Sequence, residues 1–135
     1  MQHKLRAVLY GGLALLLLNS AYLAAFAQAT LFYMTNVLFH IVGGALIVAG
    51  LVMILRKERP GVATMLASAL GLGIYLAAAG NTSDKVWILA AHIAVAVVAV
   101  GWISRQHRVA LACLAMLPLG TYFYDRNYYE PSQRL

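Results

Sequence analysis

An all-α integral membrane protein with five transmembrane helices is what this sequence predicts. Of its 135 residues, 63% are hydrophobic and only 10% are charged. Soluble domains carry about 25% charged residues, so a water-soluble globular enzyme is excluded. The apolar residues also form runs close to the ~20 residues that cross ~30 Å of hydrocarbon. Third, the basic residues flank these runs in short clusters, as membrane flanks do. They do not track one continuous face, so the net charge of +6 does not point to nucleic acid.

The first segment runs from Ala7 to about Ala27, and the second from about Leu31 to Leu55. Gly61–Ala79 is the third, Val86–Ile103 the fourth and Val109–Tyr124 the fifth. Together they make one domain, residues 1–135. Pro60 suits the first turn of the third helix, where its missing N–H costs little. Met1–Ala27 also reads as a signal peptide, with Ala25-Phe26-Ala27 as a small-x-small cleavage site; its removal would leave four helices. The expectation is that it is retained. Pro118 and Gly120 make the fifth segment the one expected to kink or tilt.

Orientation follows from Lys and Arg. With the N-terminus inside, Lys4, Arg6, Arg56, Lys57, Arg59, Arg105 and Arg108 face the cytoplasm, and Lys85, Arg126 and Arg134 lie outside. Seven against three favours this orientation, which puts the C-terminus and its aromatic approach, Tyr122-Phe123-Tyr124, on the external side. Trp87 and Trp102 sit near opposite ends of the fourth helix, as interfacial anchors do.

The apolar segments contain no Asp, Glu, Lys or Arg, and only two histidines, His40 and His92. Ionisable groups inside a membrane are costly and by default functional. His40 lies nine residues into the second segment and His92 six into the fourth, roughly 13 and 9 Å from the external ends. The second and fourth helices run in the same direction, so both imidazoles can point into the bundle at one level. That is the arrangement two axial ligands of one haem iron require, and bundle cores hold cofactors this way. Gly43 and Gly44 follow His40 by about one turn and leave room for a macrocycle. Ala94, Ala96 and Ala99 after His92, and Ala67, Gly71 and Gly73 on the third helix, do the same. The competing reading is that small residues let membrane helices pack closely. For each histidine alone, the competing reading is a hydrogen bond to Thr35, Asn36, Ser68 or Tyr75.

His3 and His107 sit in basic flanks and read as solvated. His107 follows His92 by fifteen residues, a spacing that suits two stacked haems. The matching positions on the second helix are Ile54 and Leu55, which ligate nothing, so one haem is expected. Met34 is a remote alternative ligand; Met53, Met65, Met116 and Cys113 read as packing residues. Lys85, Asn81 and Thr82 are the external groups that could meet haem propionates. Nucleophile triads, phosphate loops and carboxylate pairs are absent, so hydrolysis and phosphoryl transfer are not expected. The single cysteine also excludes a Cys-x-x-Cys-His haem attachment.

The His40–Gly43–Gly44 helix, the short basic turn and the His92 helix together resemble small b-type cytochrome membrane domains. The resemblance is to bis-histidine anchors that pass electrons between the quinone pool and periplasmic cytochromes, and it covers about residues 31–108. It implies one haem b, axial ligation by His40 and His92, and quinol or c-type cytochrome partners in a bacterial cytoplasmic membrane. Two-haem b-type cytochromes are more distant, because their second ligand pair is missing. The function expected is therefore a non-catalytic electron-transfer subunit. Two other classes stay open: a cofactor-free accessory subunit of a larger membrane complex, and a pigment-binding subunit whose histidines ligate magnesium.

Overall fold

A computed structural model describes residues 2–26, 30–80, 82–103, 116–121 and 123–124. These are helical apart from short connections and contain no strand. Four α-helices follow one another: α1 (Gln2–Ala25), α2 (Leu31–Glu58), α3 (Pro60–Ala79) and α4 (Val86–Ile103). A single 3-10 turn, Ser83–Lys85, leads into α4. All four α-helices are long and apolar enough to span a membrane, and large apolar side chains cover much of their outer surface. That surface suits lipid. Of the fifth segment, Met116–Thr121, Phe123 and Tyr124 are helical; the rest of it, with Arg105, His107, Arg108, Cys113, Tyr122 and the C-terminal tail, lies outside the described residues.

Two helices outrun their apolar segments. α1 starts at Gln2 rather than Ala7, because Gln2-His3-Lys4-Leu5-Arg6 contains no helix breaker. α2 runs on from Leu55 to Glu58 for the same reason. It stops only where Pro60 biases the preceding residue away from the α region, and Arg59 takes φ −143°, ψ 70°. Pro60 then begins α3 directly, so α2 and α3 form a hairpin with a one-residue joint. Its backbone is closed by the Arg59 N–H, which donates to the Leu55 carbonyl at 2.7 Å.

Polar groups collect at the helix ends. Arg6 pairs with Glu58, joining the start of α1 to the end of α2. The Arg59 guanidinium donates to the Ile103 carbonyl at 2.6 Å, a cation where the α4 dipole is negative. At the opposite face, Gly80 ends α3 with φ 78°, ψ 147°, a region essentially reserved for glycine. The Lys85 ammonium donates to the Ala79 carbonyl (3.0 Å) and to Thr82 Oγ1 (3.1 Å). The Thr82 hydrogen bond, foremost, holds the Asp84 carboxyl below its ordinary range. Thr30 caps α2, its hydroxyl accepting the Tyr33 N–H at 3.1 Å.

α2 packs between α1 and α3, and α3 packs on α4. Leu51, Leu55, Leu66 and Val100 are fully buried and, with Leu13 and Leu16, form an aliphatic core. That core occupies the end of the bundle nearest the Arg59 joint. In the other half the buried side chains are fewer: Asn19, Ala69, Leu76 and Ile88. Both intramembrane histidines lie toward this second half.

Candidate functional site

His40 and His92 meet. Their ring centroids are 6.3 Å apart and their planes cross at 75°. The helices that carry them are separated by α3, which packs on both, so the two side chains span a gap that the backbones leave open.

Each ring is anchored through Nδ1. His92 Nδ1 lies 2.8 Å from the Ala69 carbonyl, and a carbonyl oxygen only accepts, so Nδ1 carries the hydrogen. The sequence explains why the ring reaches that carbonyl. Ala69 O faces the position four residues on, which is Gly73. A Cβ there would stand 3.0 Å from His92 Cε1 and 3.4 Å from Nδ1. The absent side chain is what admits the ring. His40 Nδ1 lies 3.3 Å from Ser20 Oγ on α1. Both of these ring hydrogen bonds are made through Nδ1. Nδ1 held by an outer acceptor with Nε2 left as the donor nitrogen is the usual arrangement of metal-ligating histidine. If a haem iron were held here, His40 and His92 would supply two neutral nitrogen donors; no group of three or more His, Cys, Asp and Glu side chains is gathered among the described residues.

Of the four side chains considered as histidine partners, Thr35 donates instead to the Leu31 carbonyl and Asn36 to the Phe32 carbonyl. Ser68 and Tyr75 are exposed. The actual partners, Ser20 and the Ala69 carbonyl, lie on α1 and α3. No spacing rule along the chain points to them, because contact between helices depends on rotation about each axis. Gly44 is buried against Leu16 of α1, and the nearest side chain to Gly43 is Phe39 of its own helix. The tight glycine contacts between α1 and α2 are instead Gly12 with Ile47 and Gly50 with Leu9, each 3.0 Å from an added Cβ, and Gly73 is the glycine that the structure places against a histidine ring. Met34 and Met53 are exposed, and Met65 packs on the core. His3 is exposed at the start of α1, and Leu55, at the level of a second pair, is buried among aliphatic side chains. Trp87 and Trp102 are exposed at the two ends of α4.

No protein-family model matches the chain, nor does any curated protein or solved structure.

Proposed function

We propose that this chain is a membrane b-type cytochrome subunit that relays electrons through one bis-histidine haem. The observation that carries the reading is the pairing of His40 and His92, with ring centroids 6.3 Å apart, among apolar segments that hold no Asp, Glu, Lys or Arg. When bound, haem b supplies a one-electron couple between ferric and ferrous iron. The chain's own work is to hold two neutral imidazoles in the ligating tautomer, to keep water out with apolar helices, and to carry no charge that would oppose the cationic iron. Quinol as donor and a periplasmic c-type cytochrome as acceptor fit a site nearer the external face. A bacterial cytoplasmic membrane, an internal N-terminus and a fifth crossing by residues 109–124 complete the reading, supported by the seven-to-three distribution of basic residues.

The test is an absorption spectrum of the purified protein, oxidised and then reduced with dithionite. Sharp reduced bands of haem b are expected. A colourless protein, from cells supplied with haem, would leave a cofactor-free accessory subunit as the better account, and chlorophyll bands would make the pair magnesium ligands.

A further inference from the structure

The dipeptide Asn19-Ser20 lies in the last third of the segment that reads most like a removable leader, yet it carries the polar contacts of α1 to the site. Asn19 is the buried polar residue of the described bundle. Its Nδ2 donates to the Asn36 carbonyl at 3.1 Å, the carbonyl one α-helical turn before His40. Ser20 Oγ donates to the Leu16 carbonyl at 2.7 Å. A hydroxyl has one hydrogen, so the Ser20 oxygen, with its hydrogen spent, faces His40 Nδ1 as an acceptor. The imidazole must then donate from Nδ1, which leaves the lone pair on Nε2. A buried amide in an apolar helix is costly to leave unpaired, so Asn19 fixes the rotation and height of α1 on the turn that bears His40. Leu16, packed against Gly44, supplies both the apolar part of that seat and the carbonyl that orients the Ser20 hydroxyl.

We propose that Ser20, seated by Asn19, is the positioning residue for His40: it selects the Nδ1–H tautomer and aims Nε2 toward His92. This rests on the reading of the two histidines as a ligand pair, and it makes α1 part of the site rather than a leader. The two ligands are also unequal. His92 donates to a backbone carbonyl and His40 to a hydroxyl already engaged elsewhere, so His40 is the more weakly oriented ligand and the one a single side chain can perturb.

The experiment uses the full chain in detergent, as wild type, Ser20→Ala and Ser20→Thr. The first readout needs no haem: 15N chemical shifts of the His40 ring in the haem-free protein. Nδ1–H is expected in the wild type, a mixture of tautomers in Ser20→Ala, and the wild-type pattern again in Ser20→Thr, with His92 unchanged in all three. The second readout is haem affinity by titration. Loss of an outer-shell partner typically costs 10–100-fold, so a drop of at least about tenfold is expected in Ser20→Ala, with recovery in Ser20→Thr. A wild-type His40 protonated on Nε2, or a Ser20→Ala protein with unaltered tautomer and haem affinity, overturns the role of Ser20 while leaving the ligand pair standing. A wild type with the expected tautomer that takes up no haem overturns the ligand pair, and the positioning role for ligation falls with it.

Discussion

Gly73 shows most sharply how one residue shapes the site. A methyl group there would stand 3.0 Å from His92 Cε1, and the ring has little freedom because its Nδ1 is held to Ala69 on the same helix. Gly73→Ala is expected to push the ring off that carbonyl, at a cost of about 1–3 kcal/mol, and to lower haem retained per chain; Gly73→Val should lower it further. Haem content after purification, against protein concentration, checks this, and an unchanged ratio in Gly73→Val would contradict the placement of His92. Gly71, two residues away, has open space at its Cβ, so Gly71→Ala is the control expected to do nothing. The two histidines were legible in the sequence because charge is scarce in a membrane and the rise per residue converts position into depth. Their Nδ1 partners were not, because Ser20 and Ala69 are ordinary residues in apolar helices until the helices are rotated into contact.

Helices in this protein are specified mainly by hydropathy, and their ends by a few residues. Gly80 closes α3 at φ 78°, ψ 147°, where any Cβ is strained; Gly80→Ala is expected to destabilise the bundle by about 1–3 kcal/mol, read as a lowered thermal midpoint in detergent. α1 is held by Leu13, Leu16 and Leu17 in the core, by Asn19 on α2 and by the Arg6–Glu58 pair. Asn19→Ala should cost about 0.6–2 kcal/mol, the range of interhelical hydrogen bonds in membranes. Deletion of residues 1–27 should remove haem binding while His40 and His92 remain in the chain; full haem content in that deletion would show that α1 is dispensable. The second, third and fourth apolar segments were readable to within a turn. The true helix ends at Gln2 and Glu58 were not, because they lie in charged stretches that hydropathy discounts but helix propensity favours.

The bundle as a whole is asymmetric along its long axis. Its aliphatic core fills the end near the Arg59 joint, and the histidines occupy the half where few large side chains are buried. Under the proposed orientation, with the N-terminus inside, the histidine pair lies toward the external face. In a Cys113→Ala background, Thr82→Cys is expected to react with an impermeant maleimide added from outside, and Lys57→Cys to be protected; the reverse pattern would contradict the orientation. Four of the five apolar segments were readable as span-length helices from apolar length, but the gap between α2 and α4 was not, since it arises from α3 packing on both.

His40 and His92 are proposed to hold one iron between them. The most direct test is the low-spin ferric signal and Soret band of the wild type beside His40→Ala and His92→Ala, each at equal protein concentration. The account predicts a bis-histidine low-spin signal in the wild type and its loss in either single variant. A wild-type signal that survives in either variant would contradict it.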